Sequence, residues 1–125
     1  MPRWWPACIR EAREASERFA AEEGCTVEWS KIWNIEPVPF HPDLVGFCEQ
    51  AAREISGTAH RLPSGPLHDA AEVARAGIPT VMMFVQSVRG ISDNRIEDTK
   101  EEHLELAVAA FDRLATMTVD WILRK

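Results

Sequence analysis

The chain has 125 residues, a formal net charge of −6 and 46% apolar residues. That length suits one ordinary domain, and that apolar share builds a core rather than a disordered tail. The acidic balance speaks against a nucleic-acid or membrane-surface binder, and no run approaches the ~20 apolar residues a bilayer span needs.

The N-terminal segment has no apolar stretch of the kind a secretory signal carries. Cys8, Cys25 and Cys48 are widely spaced. An odd count without paired CxxC motifs fits reduced thiols in a cytoplasmic protein, not a disulfide framework.

In chain order, Ala7 to Glu23 reads as a helix. Ile9, Ala12, Ala15, Ser16, Phe19 and Ala20 share one face, and Gly24 stops it. In Cys25–Ile35, Cys25, Val27, Trp29, Trp33 and Ile35 alternate with polar residues, which predicts a strand with one buried face. Pro37, Pro39 and Pro42 then mark a domain crossing, because each removes a backbone donor and draws its predecessor out.

Pro42 suits the first turn of a helix running to about Ile55, with Gly57 beyond it. A loop from Arg61 to Pro66 leads into a short helix, roughly Leu67 to Ala76. The apolar run Ile78–Val85 reads as a strand covered on both faces. A polar loop follows. Thr99 with Glu102 forms a capping box for a last helix, along which Leu104, Val108, Phe111, Leu114, Ala115, Thr118, Val119 and Ile122 recur at helical spacing. Helices alternating with strands give an α/β class.

Two loops carry groups fit for chemistry. The first holds Ser64, Gly65, His68 and Asp69 at a helix start, where free backbone N–H groups suit an anion or a carbonyl oxygen. The same residues also fit a plain helix cap by Asp69 or Ser64. The second, Gly90–Asp98, directly follows the buried strand, where ligands gather in open α/β sheets. Asp93, Glu97 and Asp98 there could ligate a metal, or form a solvated acidic loop, with Asp93 capping the turn. His41 and His103 stand in structural or surface contexts. No cysteine has a neighbouring histidine that would mark it as a nucleophile.

Taken in order, these motifs resemble the C-terminal signature of the zinc-dependent hydantoinase/carbamoylase amidohydrolases, the N-carbamoyl-L-amino-acid hydrolase and allantoate amidohydrolase type. Ser64, Gly65, His68, Asp69 and Ala70 match a Ser-Gly-x-x-His-Asp-Ala stretch. Met82, Met83 and Phe84 match the buried strand. Gly90, Ile91, Ser92, Glu97 and Thr99 match the Gly-Ile-Ser-His loop with its Glu and Thr. Ile35–Val45 resembles the return from a lid domain to the catalytic domain.

The resemblance implies an α/β fold: residues 36–125 as the C-terminal part of a three-layer catalytic domain, preceded by residues 1–35 as the last helix and strand of a lid (dimerisation) domain. It implies metal-dependent hydrolysis of carbon–nitrogen bonds in linear amides such as N-carbamoyl amino acids or allantoate. Zn or Mn is the implied metal in the full-length form, the substrate a small ureido or carbamoyl acid, and a homodimer an option. Ser64, Gly65, His68 and Asp69 would bind substrate.

Two departures matter. The family's first metal ligands and its general base lie in segments this chain does not carry, so no catalytic residue is assigned here. The final metal ligand, a histidine in the family, is Asp93 in this chain. A carboxylate can still hold Zn²⁺ or Mn²⁺. The expected function is therefore a truncated piece of such a hydrolase, inactive by itself; the alternative is a non-catalytic, degenerate homologue that only folds or associates.

Overall fold

The computed structural model describes residues 5–124. It divides into two compact units, one ending at Pro37 and one starting at Val38.

In the first unit, helix α1 spans Trp5–Glu22 and turns out at Gly24, whose φ of 65° needs a residue without Cβ. Residues 25–37 follow without helix or ladder. Two bonds run back to α1: the Cys25 N–H donates to the Ala20 carbonyl and the Trp29 indole N–H to Ser16 Oγ, each at 2.7 Å. Phe19, Ile32 and Trp33 stay exposed.

The second unit is built on helices α2, Pro42–Ser56, and α4, Glu101–Leu123. Pro42 occupies the first turn, and His41 Nδ1 accepts the Asp43 N–H. Gly57, at φ 79°, closes α2 with a bond from its N–H to the Arg53 carbonyl. The Trp121 indole donates to Asp43 Oδ2 at 3.1 Å, and Arg113 Nε meets Glu54 Oε2 at 2.7 Å. Contact thus runs backwards along α4 as α2 advances, so the two helices are antiparallel. His41 also meets the Trp121 ring edge-on, 5.2 Å between centroids.

The buried core is small. Leu44 and Ala51 of α2 and Ala110 and Leu114 of α4 are the buried apolar residues among those described. On α4, Leu104, Val108, Phe111, Val119 and Ile122 form a second apolar stripe that lies exposed. A helix apolar on two sides is built to be covered on two sides.

Between these helices lie α3, Asp69–Arg75, and a 3-10 turn at Val88–Gly90. No strand forms among the described residues. Cys25–Ile35 and Ile78–Val85, predicted as strands, run without a ladder, because a strand exists only where a neighbour takes its backbone bonds. Among the described residues, the backbone bonds of Ile78–Val85 are Ile78 N–H to the Val73 carbonyl and His41 N–H to the Thr80 carbonyl. The expected capping box also differs. Lys100, not Thr99, is the N-cap of α4, without a side-chain cap bond, and Glu102 pairs with Lys100 Nζ at 3.2 Å.

The Arg113–Glu54 pair ties α2 to α4 and has a pH signature. The hydrogen bond from Arg113, helped by one from Gln50, holds the Glu54 carboxyl below its usual range. A lowered folded-state pKa adds stability above the unfolded value, and that contribution is lost as pH falls through the folded one. The denaturation midpoint should therefore fall on acidification below about pH 4.3. In Glu54→Gln this acid limb should be shallower, read by urea titration of helical signal at several pH values.

Candidate functional site

The first loop runs without bend from Thr58 to Ser64 and bends at Gly65–Pro66. Ser64 Oγ donates to the Pro66 carbonyl at 3.0 Å and so holds the bend rather than capping a helix. The N-cap of α3 is His68, in extended backbone geometry and without a side-chain cap bond. Asp69 is the first helical residue, where a carboxylate favours the helix dipole. The cap expected of Asp69 or Ser64 is thus absent. Ser64, Gly65, His68 and Asp69 are all exposed.

The second loop is pinned at its ends, Val88 N–H donating to the Asp98 carbonyl at 2.8 Å. Inside it, Asp93 takes a left-handed backbone with φ 53°. Its N–H donates to Glu97 Oε2 at 2.9 Å. Asn94 Oδ1 accepts Ile96 N–H at 3.2 Å, so Asn94 rather than Asp93 caps the turn. Asp98 Oδ1 accepts Thr99 N–H at 2.8 Å. Of the three carboxylates read as candidate ligands, Glu97 and Asp98 are engaged with backbone. Among the described residues, the Asp93 carboxylate takes no hydrogen bond or ion pair, and it is exposed.

Among the described residues, no hydrogen bond or ion pair joins Asp93 to the Ser64–Asp69 loop. Nor do three His, Cys, Asp or Glu side chains come together in a way that could hold a metal ion. The residues present therefore do not fit a metal by themselves, and Asp93 is at most one ligand of such a site. No described helix is long and apolar enough to cross a membrane.

A concave feature lies against α2 and α4. A groove of about 680 Å³ is lined by Val45, Cys48 and Ala52 of α2, Leu106, Ala107 and Ala110 of α4, and the runs Thr58–Leu62 and Val81–Gln86. Ser64 reaches it; Gly65, His68, Asp69 and Asp93 do not. Partial burial pushes the Cys48 thiol up, which favours the unreactive protonated form. His103 also borders the groove, and its buried Nδ1 has no hydrogen-bond partner.

Arg61 closes on Glu49 at the rim with a two-pronged contact, 2.9 Å through Nε and 2.6 Å through a terminal nitrogen. These bonds, with the charge of Arg53, hold the Glu49 carboxyl below its usual range. The i,i+4 spacing of Glu49 and Arg53 was visible in the sequence. The Arg61 contact, across a loop, carried no local signal, and neither did the Glu97 clamp on Asp93.

The model of peptidase family M20/M25/M40 matches residues 6–117. A protein of Haemophilus influenzae named an uncharacterized hydrolase is 26% identical over 102 residues, which is 82% of this chain and 25% of that protein. The allantoate amidohydrolase of Bacillus subtilis is 31% identical over 93 residues, 74% of this chain and 22% of its own length. No solved structure matches. This chain spans about a quarter of the length of the curated relatives it matches. With nearly all of its residues covered, and both loops inside the matched span, the chain belongs to peptidase family M20/M25/M40.

Proposed function

We propose that this chain supplies the C-terminal part of a metal-dependent M20-family hydrolase that cleaves carbon–nitrogen bonds of linear amides, N-carbamoyl amino acids or allantoate being the substrate class. The family match over residues 6–117 carries this reading, and the similarity to an allantoate amidohydrolase narrows it. In such an enzyme these residues complete an α/β layered domain, with 1–35 belonging to its lid and 36–125 to its catalytic part.

The chain's own contribution is to hold substrate. Ser64, Gly65 and His68 stand exposed at the bend before α3. The hydroxyl and imidazole there can meet a carbonyl or carboxylate, and the first N–H groups of α3 lie beside them. Asp69 opposes an anion and would orient the loop. Zn or Mn would take its remaining ligands from outside this segment, with Asp93 offering one carboxylate. No reaction step is assigned to residues of this chain.

A second reading rests on Asp93 itself. An aspartate where the family motif has histidine, with no described cluster of ligands around it, also fits a non-catalytic homologue.

A fusion separates the two. The first three quarters of the Bacillus subtilis relative would be joined to this chain and assayed with allantoate and Mn²⁺ or Zn²⁺. Metal-dependent ammonia release supports the hydrolase reading. A fusion that folds and stays inert supports the degenerate one. Asp93→His in the same fusion should then raise metal content and rate by at least ~10-fold, the scale of losing or regaining one well-oriented ligand. Histidine tolerates the left-handed backbone at this position, so the substitution reports on ligation rather than on folding. If neither quantity rises, Asp93 is not a compromised ligand.

A further inference from the structure

The stretch that carries Ser64 and His68 leaves α2 at Gly57 and enters α3 at Asp69. Its residues 58–64 pass without helix, turn or bend. Side-chain bonds hold this run against α2. Ser56 Oγ donates to the Thr58 carbonyl at 2.9 Å. Arg61 Nε and a terminal nitrogen of the same guanidinium both donate to Glu49 Oε2, at 2.9 and 2.6 Å. Glu49 is itself braced: Oε1 accepts from Arg53, one turn further along α2, at 2.7 Å.

The run has almost no slack. Glu49 lies eight residues before Gly57, which is about 12 Å back along the axis of α2. Four extended residues, from Gly57 to Arg61, cover about 13 Å. The run therefore retraces the last two turns of α2 near full stretch and is tied down where it ends. Leu62 and Pro63 carry that position onward. Pro63 fixes its own φ and keeps Leu62 extended, so Ser64 stands a stiff step beyond the tie. The Ser64 hydroxyl then closes the bend at Gly65–Pro66. Glu49, Arg61 and Ser64 border one groove.

The pair is poorly placed to stabilise the fold. The Arg61 side chain is 68% exposed and that of Glu49 29%, and ion pairs so open to water add little to stability. Its effect is on place. We propose that Glu49 and Arg61 are positioning residues: their clamp sets where Ser64 and His68 stand, and through them how tightly the assembled hydrolase holds its substrate. Arg61 touches no substrate in this role. The inference deepens the hydrolase reading, and its effect on substrate rests on that reading.

The test has two arms. In the whole 125-residue chain, Glu49→Ala and Arg61→Met should each free the loop. Amide order parameters of Leu62, Ser64 and Gly65 should fall from about 0.85 to below about 0.6, while helical signal and urea midpoint keep their wild-type values. In the fusion to the Bacillus subtilis relative, each variant should raise KM for allantoate about 10-fold. It should leave kcat within about threefold and metal content unchanged, the pattern of lost uniform binding. The double variant should be no worse than either single one, because both break the same contact. Order parameters that stay high in both variants overturn the proposal. So does an active fusion whose KM does not move. So does a KM raised by Arg61→Met but not by Glu49→Ala, since Arg61 would then bind substrate itself. A wild-type fusion that folds but stays inert counts against the hydrolase reading, and the order parameters alone then decide the clamp.

Discussion

Leu114→Ala should cost about 2–5 kcal/mol and largely undock α4 from α2. Leu114 is 6% exposed and is one of two large aliphatic side chains, with Leu44, among the buried residues. Removing its branched end loses transfer free energy and leaves a void that a two-helix contact cannot refill. Whole domains are stable by only about 5–15 kcal/mol, and this small core belongs at the low end. An internal control lies one side of the helix away. Val108, 69% exposed on the outer stripe of α4, should tolerate alanine within about 0.5 kcal/mol. Urea unfolding followed by helical ellipticity measures both. Equal losses at the two positions would show that the outer stripe is covered in solution.

The second large effect is catalytic. The purified 125-residue chain should hydrolyse neither N-carbamoyl amino acids nor allantoate above the uncatalysed rate, with or without added Zn²⁺ or Mn²⁺. A dinuclear site takes about five or six protein ligands, and the described residues bring no three candidate ligands together. Rate enhancements of about 10⁶-fold or more rest on assembling such a site. The expected difference from a complete family member is therefore the whole of that factor. Metal-dependent ammonia release by the pure chain, abolished by a chelator, would show that the chain assembles a site by itself or between copies.

The helices were legible because their signals are local. Pro42 and Gly57 bracket α2 as spacing predicts, and Gly24 is the turn-out of α1, whose helix ends at Glu22, one residue short of the expected Glu23. The apolar repeat located α4, but could not tell which side of it would be covered. Leu114 and Ala110 face α2, while Val108 and Phe111, just as apolar, face out. That choice is made by the partner surface, which the helix's own sequence does not contain. The capping box failed for a related reason. Lys100 takes the N-cap one residue later than the box requires, and the Thr99 N–H is met by Asp98 Oδ1 rather than by Glu102.

The extended runs show the limit most clearly. Period-two alternation in Cys25–Ile35 and the apolar run Ile78–Val85 report a preference for pleated chain, not a neighbour to pair with. In the candidate site, residue types placed Ser64, His68, Asp69 and Asp93 on two loops. Only coordinates showed that Glu97 holds Asp93 in its left-handed turn and that Asp98 is spent on Thr99. Side chain to backbone bonds of this kind depend on loop shape, and loop shape is weakly encoded in local pattern.

The contact of Trp121 with His41 and Asp43 also equips the second unit with an optical gauge. Of the five tryptophans, Trp4, Trp5, Trp29 and Trp33 precede Pro37, leaving Trp121 alone in residues 38–125. Its indole N–H is held by a carboxylate and its ring is met edge-on by an imidazole, both at the opposite end of the helix pair in sequence. Emission from a variant carrying phenylalanine at the four earlier positions would therefore read the docking of the last turn of α4 onto the first turn of α2. Any ligand, partner or second copy that loosens or tightens that seam would announce itself as a change in colour and intensity, without a label being added to the chain.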